Sequence, residues 1–273
     1  MNAETIAFIG GGQMVRSLVG GLLAGGRSAT TVRVSEPVHA LRDALHRQFG
    51  VQVFADNTEG VATAATWVLG VKPQAARVVC EQLAPTAQRE RPLVVSIAAG
   101  VTTAQLDHWL GGDMAIVRAM PNTPALIGAG ITALYANPGV DAGGCHRTER
   151  LLAATGNTVW LTDEAKMDVV TAISGSGPAY VFLLAEAMLS AASAEGLPAD
   201  AARTLVLQTL LGAARLMAED NATPAELRLR VTSPGGTTEA AIAAMLRVDV
   251  PGAITRAIHA AAERSRALSA AND

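Results

Sequence analysis

Aromatic residues make up only 3% of this 273-residue chain, and cysteine occurs twice. That scarcity rules out a core of stacked rings and leaves small aliphatic side chains to fill it, which hydrophobic residues at 50% can do. Two isolated cysteines, Cys80 and Cys145, exclude a disulfide framework and a cysteine-based metal cluster, and fit reduced thiols in a cytoplasmic setting. Charged residues reach just 16%, and a net charge of −3 offers no electrostatic footprint to nucleic acid or an anionic membrane. No uninterrupted apolar run reaches the roughly eighteen residues that span a bilayer, since Gly, Pro, Glu and Ser break residues 169–194. The five histidines show no metal-protease spacing, and the chain opens on a strand pattern rather than a secretory leader.

What is present begins with a strand, a glycine turn and a helix. Residues 5–9 read as a short buried strand, Gly10-Gly11-Gly12-Gln13-Met14 follows, and a helix runs through Leu23. In that context Gly10 makes the tight turn, Gly12 lets a pyrophosphate approach the backbone, and the helix N-terminus faces it. Val15 stands where the fingerprint has its third glycine, a substitution expected to tighten helix packing behind the pyrophosphate. A second strand over 32–35 ends in Ser35-Glu36, where the adenine ribose of a dinucleotide is read.

The alternation continues with helix 39–49 closed by Gly50, strand 51–55, strand 66–71, helix 74–83, strand 93–97 and helix 103–110. Strands 115–119 and 131–135, helix 142–153 and strand 158–161 complete it. Short β-branched runs between helical patterns predict an α/β fold with a Rossmann-type, doubly wound, mostly parallel sheet. Ligands of such sheets sit at the carboxyl ends of the strands. Three loops there have unusual chemistry: Val71-Lys72-Pro73-Gln74, Ser96-Ile97-Ala98-Ala99-Gly100 and Met120-Pro121-Asn122-Thr123-Pro124. Rigid prolines and small residues suit a loop lying against a flat nicotinamide ring.

From about Asp163 the pattern is helical only, which divides the chain into a dinucleotide domain over 1–162 and an all-α domain over 163–273. Helices 178–194 and 201–218 are apolar nearly all round, and about 110 residues cannot enclose them. A second copy packed on them, making an obligate dimer, solves the problem. Late in this region Ser233-Pro234-Gly235-Gly236-Thr237-Thr238-Glu239 precedes a helical run over 240–246. A glycine pair at a helix start presents several N–H groups to a small anion, and two threonine hydroxyls stand beside it.

Six segments, Phe8-Ile-Gly-Gly-Gly-Gln-Met14, Val71-Lys-Pro-Gln74, Ser96-Ile-Ala-Ala-Gly-Val101, Met120-Pro-Asn-Thr-Pro124, Ser174-Gly-Ser-Gly-Pro-Ala-Tyr180 and Ser233-Pro-Gly-Gly-Thr-Thr238, occur in one order. In this the chain resembles the pyrroline-5-carboxylate reductases, from Ile6 to about Met245. The resemblance implies NAD(P)H-dependent reduction of the cyclic imine L-1-pyrroline-5-carboxylate to L-proline, the last step of proline biosynthesis. It also implies a helical dimerisation domain, with dimers assembling into a ring such as a decamer. Carried over position by position, it puts Thr238 at the reacting imine, with Glu164, Ser233, Gly236 and Thr237 around the substrate. It puts Ile9, Gly10, Gly11, Gly12, Gln13, Met14, Ser35, Asn57, Val71, Lys72, Pro73, Ala98 and Ala99 at the dinucleotide.

Ser35 can donate to a 2′-phosphate and favours NADPH, whereas Glu36 would repel that phosphate and favour NADH. Two other readings compete. A β-hydroxyacid dehydrogenase also joins a Rossmann domain to a helical one, but needs a Lys with an Asn four residues on; Lys166 is followed at that spacing by Val170. A non-catalytic NAD(P)-sensing dimer would have no use for the SPGGTT corner. No metal site is expected.

Overall fold

The computed structural model describes residues 4–270, which divide into two compact units, one of residues 4–176 with 261–270 and one of residues 177–260. The first unit carries an eight-stranded sheet: β1 (Ile6–Ile9), β2 (Val32–Ser35), β3 (Gln52–Phe54), β4 (Thr66–Leu69), β5 (Leu93–Ser96), β6 (Ala115–Met120), β7 (Gly130–Ala136) and β8 (Gly156–Trp160). Its order is β3-β2-β1-β4-β5-β6-β7-β8. All neighbours pair in parallel except β6 and β7, where the chain turns back on itself. The direction of winding reverses between β1 and β4, so the crevice expected of a doubly wound sheet lies above those two strands.

Six helices belong to this sheet: α1 (Gln13–Ala24), α2 (His39–Phe49), α3 (Asn57–Val61), α4 (Pro73–Glu90), α5 (Thr103–Trp109) and α6 (Ala142–Leu152). The period-two alternation of β1 sorts them. Ile6 and Phe8 enter one core with Val15, Leu18 and Leu22 of α1, Leu45 of α2 and Leu151 of α6. Ala7 and Ile9 enter the other, with Val61 of α3, Cys80 and Leu83 of α4, and Leu106 and Trp109 of α5. Both faces are thus covered, as the near-continuous apolar strands require.

Several boundaries differ from the sequence reading for definable reasons. α4 continues through Pro85 to Glu90, because Leu83 before the proline and Thr86 and Ala87 after it are all buried. Packing there outweighs the lost backbone hydrogen bond. The short α3 was not expected; Asp56 caps it by accepting from the Glu59 N–H at 3.0 Å. Burial and Glu81 push the Cys80 thiol up to about 12. Alkylation at pH 8 is therefore expected to modify Cys145 and spare Cys80 in the native protein, read by peptide mass mapping.

After β8 the first unit adds α7 (Met167–Val170) and a wider, π-type turn over Thr171–Gly175. The second unit holds α8 (Gly177–Ala194), α9 (Ala199–Glu219), α10 (Pro224–Arg230), α11 (Thr237–Arg247) and the start of α12 (Val250–Ala270), whose residues from Ala261 on group with the first unit. A Thr223/Glu226 capping box starts α10. Among the described residues one helical stretch, residues 164–194, is long and apolar enough by length and composition to cross a membrane, although Gly, Pro, Glu and Ser interrupt its apolar run. The all-helical pattern starts at 163, but the compact units separate at 176/177. Met167 and Ala172 are buried, and Ser265 donates to Asp168 at 2.6 Å, which ties the first helical residues to the unit that bears the sheet.

Candidate active site

The sheet register brings the cofactor loops to one edge. Ile9 at the end of β1 sits beside Leu69 of β4, and Leu69 beside Ser96 of β5, so Gly10–Met14, Val71–Pro73 and Ala98–Ala99 all leave from the same carboxyl edge. Gly10 has φ +97° and donates to the Ser35 carbonyl at 2.8 Å; a Cβ there would stand 2.7 Å from the Gly70 carbonyl oxygen. Gly12, by contrast, is exposed and a Cβ on it would meet nothing within 4 Å. It precedes α1, whose N-terminus has no side-chain cap and no acidic residue in its first turn. The first-turn N–H groups, with Gln13 and Met14, remain open to an anion such as a pyrophosphate.

Val15 does not act on the pyrophosphate side. A Cβ on Gly70 would collide with Val15 Cγ2, so the missing third glycine of the turn is offset by a glycine at the end of β4. Ile9 is wholly buried, and its carbonyl accepts from the Gly70 N–H at 2.8 Å, leaving no side chain for a ligand. Lys72 is exposed, Val71 and Pro73 half-buried, Ala98 buried and Ala99 exposed. A cavity of about 480 Å³ opens here, lined by Pro73, Gln74, Ala99, Gly100, Thr171 and Arg264. A larger one, about 750 Å³, lies at the opposite edge beside Ile6 and Thr66. Strand polarity makes the smaller the candidate.

At the end of β2 the structure corrects the reading of Ser35. Its side chain is completely buried and faces α3, where a Cβ on Gly60 would collide with Ser35 Oγ, so the hydroxyl, which has no hydrogen-bond partner, does not stand open on the surface for a 2′-phosphate. Pleating sends the next residue the other way. Glu36 Oε2 accepts from the Gly11 N–H and Oε1 from the Val38 N–H, each at 2.9 Å. Asn57, half-buried, opens α3 and carries no side-chain cap of its own; Asp56 does that work.

Glu164 is also placed differently from expectation. Its Oε1 accepts from the Thr103 N–H at 2.8 Å and from Arg118 Nη1 at 3.2 Å, and its Oε2 from the Thr103 hydroxyl at 2.7 Å. The Arg118 and Glu164 side chains keep only 6% and 19% of their surface exposed. The carboxylate thus braces the start of α5 against β6 instead of standing open to a substrate. Sequence reading passed over Arg118, although a lone arginine inside the apolar strand Ala-Ile-Val-Arg-Ala-Met was its signal. Lys166 is exposed and 3.9 Å from Asp163, as for a surface pair.

In the second unit the SPGGTT corner forms the N-terminus of α11, one turn earlier than the expected run. Gly235 takes φ +72° and gives its N–H to Glu239 Oε2 at 2.7 Å, while the Gly236 N–H closes a turn on the Ser233 carbonyl at 3.0 Å. Gly236 therefore donates within the corner, not outward. Thr237 and Thr238 occupy the first two helical positions, where backbone N–H groups have no intrahelical acceptor. The N–H groups left without an intrahelical acceptor at this corner are those of Thr237 and Thr238, one residue on from Gly236.

Comparison with known proteins bears on both units. The family model for pyrroline-5-carboxylate reductase dimerisation matches residues 164–268, and that for NADP oxidoreductase, coenzyme F420-dependent, matches residues 5–100. A pyrroline-5-carboxylate reductase of Pseudomonas aeruginosa is 48% identical over 269 residues, 98% of both chains. A solved pyrroline-5-carboxylate reductase of Coxiella burnetii superposes with a TM-score of 0.93 at 41% identity, covering 98% of this chain and 99% of that one. The Plasmodium falciparum pyrroline carboxylate reductase, solved with NADP bound, gives 0.88 at 27% identity, covering 98% and 99%.

Proposed function

The chain belongs to the pyrroline-5-carboxylate reductase family, and from that premise we propose how its residues perform the reduction of the imine to proline. The protein is an oxidoreductase with an NAD(P)-binding Rossmann domain, and its dimerisation domain supports formation of an oligomer. The observation that carries the substrate site is the start of α11, where Thr237 and Thr238 hold open N–H groups beside a hydroxyl. A cyclic imine with one carboxylate offers both partners this corner needs.

In the proposed mechanism the N–H groups of Thr237 and Thr238 fix the carboxylate, with Ser233 and Gly236 holding the turn. The Thr238 hydroxyl meets the ring nitrogen, accepting from an iminium N–H or donating to a neutral imine. The exposed Gly12 and the uncapped start of α1 fit a pyrophosphate, and Val71–Pro73 with Ala98–Ala99 fit a nicotinamide. When bound, the reduced nicotinamide supplies the hydride; the chain supplies position and polarisation. Thr238→Ala is expected to lower kcat/KM about ten- to a hundredfold, the worth of one charge-assisted hydrogen bond. Turnover is read as loss of reduced-nicotinamide absorbance on mixing protein, NADH or NADPH, and pyrroline-5-carboxylate. Absence of turnover with both dinucleotides would end the proposal.

NADPH has the support of the NADP-dependent family model and of the NADP-bound relative. The division at 162/163, a dinucleotide domain followed by a dimerisation domain, has the support of the family model that begins at residue 164. Exposed Phe182, Leu183, Leu205 and Leu211 on α8 and α9 support a second copy as their cover, and we extend that to rings of dimers such as a decamer. Phe182→Glu is expected to dissociate the dimer, read by sedimentation; an unchanged mass would exclude α8 from the interface. Free Cys80 and Cys145 and the net charge of −3 support a cytoplasmic protein that binds neither membrane nor nucleic acid.

A further inference from the structure

We propose that the cavity at the amino edge of the sheet is a second ligand site, one that takes an organic phosphate monoester. It holds about 750 Å³ and is walled by the first residues of β1 and β4, Ile6 and Thr66, by the last turns of α1 and by α6. Three guanidiniums line it, those of Arg27, Arg147 and Arg150, against the single carboxylate of Glu4, an excess of two positive charges. Arg147 Nε is buried and has no hydrogen-bond partner, and its ion-pair partner Glu4 Oε2 stands 4.0 Å away. A buried N–H without an acceptor is costly, and an anion in the cavity would supply one. Arg150 is exposed and has no ion-pair partner among the described residues. Arg27 Nη1 donates to the Glu4 carbonyl at 2.8 Å, which fixes that guanidinium in the wall. Burial lowers the Arg27 pKa from its ordinary value; Glu4 opposes the shift and the charge of Arg150 adds to it. Arg27 and Arg150 thus repel each other across the space they line, and an anion between them would relieve the repulsion.

The chemistry of the donors selects the ligand class. A planar guanidinium pairs two N–H groups with two phosphate oxygens, and a phosphate monoester carries about −1.5 to −2 charge near neutral pH, which matches the excess. A lone carboxylate would neutralise only half of it. Inorganic phosphate would fill a small part of about 750 Å³, and the lining also includes Ile6, Leu22 and Leu151, against which an organic body fits. The dinucleotide crevice lies elsewhere. From this cavity β1 runs four residues to the Gly10 turn, about 13 Å at the usual rise, so one small ligand does not reach both.

The test is calorimetric binding of phenyl phosphate, inorganic phosphate and benzoate to the full chain, first without NADPH and then with it in excess. Phenyl phosphate is expected to bind in both conditions, with inorganic phosphate and benzoate each about tenfold or more weaker. Arg147→Ala and Arg150→Ala each remove a charge-assisted pair and are expected to weaken phenyl phosphate about ten- to a hundredfold. Glu4→Gln removes the competing carboxylate and is expected to tighten it about three- to tenfold, a gain that a general loosening of the fold would not give. Melting temperature and NADPH affinity are expected to stay at wild-type values in Arg150→Ala, which checks that the cavity wall still folds. No binding of phenyl phosphate, equally tight binding of inorganic phosphate, displacement by NADPH, or an affinity that neither arginine variant lowers would each overturn the assignment.

Discussion

Glu164→Ala is expected to cost about 3–5 kcal/mol of stability, the range for removing one partner of a buried ion pair. The cost comes mainly from what stays behind. Arg118 on β6 keeps 6% of its side-chain surface, and Glu164 is its ion-pair partner. The Thr103 hydroxyl and N–H lose their acceptor at the same time. Glu164→Gln keeps two acceptor lone pairs and the volume, so it should cost less than the alanine. The double variant Arg118→Leu with Glu164→Leu, which removes both charges, should recover much of the loss. Urea unfolding of the set gives the ordering. If Glu164→Ala unfolded at the wild-type midpoint while kcat/KM collapsed, the brace would be secondary and the substrate role first drawn from family resemblance would stand.

That pair also shows where the sequence stops being readable. The strand, turn and helix around Gly10 are local signals: apolar alternation, then glycine, then a helical period, all within about twenty residues. The three carboxyl-edge loops followed from the same logic, because strand order in a doubly wound sheet is constrained. Contacts between distant residues carry no such period. Glu164 meets Thr103 across 61 positions, and Gly70 is a glycine because Val15 fills the space a side chain would take. Ser35 and Glu36 illustrate the finer limit. Their neighbourhood was legible, but which faced the crevice depended on the pleat and on Gly60, a residue of a helix too short to announce itself. At the SPGGTT corner the anion-binding chemistry was visible, whereas the choice of N–H groups depended on Gly235 and Gly236 donating inward to Glu239 and Ser233.

The two outer glycines of the turn separate folding from binding, and substituting each should do so in the test tube. Gly10→Ala places a Cβ 2.7 Å from one backbone atom of Gly70 and 3.0 Å from another, at φ +97°, where an L-residue is strained regardless of space. Neither strand can give, because β1 and β4 are paired throughout their lengths. Strain and collision together are expected to cost about 2–3 kcal/mol. If the turn shifts to escape them, its N–H groups leave the anion and dinucleotide binding weakens about thirty- to a hundredfold or more. Gly12→Ala differs on every count: its φ is −68°, its Cβ meets no protein atom, and it lies on the exposed side. Its melting temperature should match the wild type while dinucleotide affinity falls, since the only thing the new methyl group can obstruct is a ligand. Calorimetric binding alongside thermal melting measures both. Equal affinity in Gly12→Ala and wild type would mean that the pyrophosphate does not approach this turn, and the cofactor site would have to be sought elsewhere on the sheet.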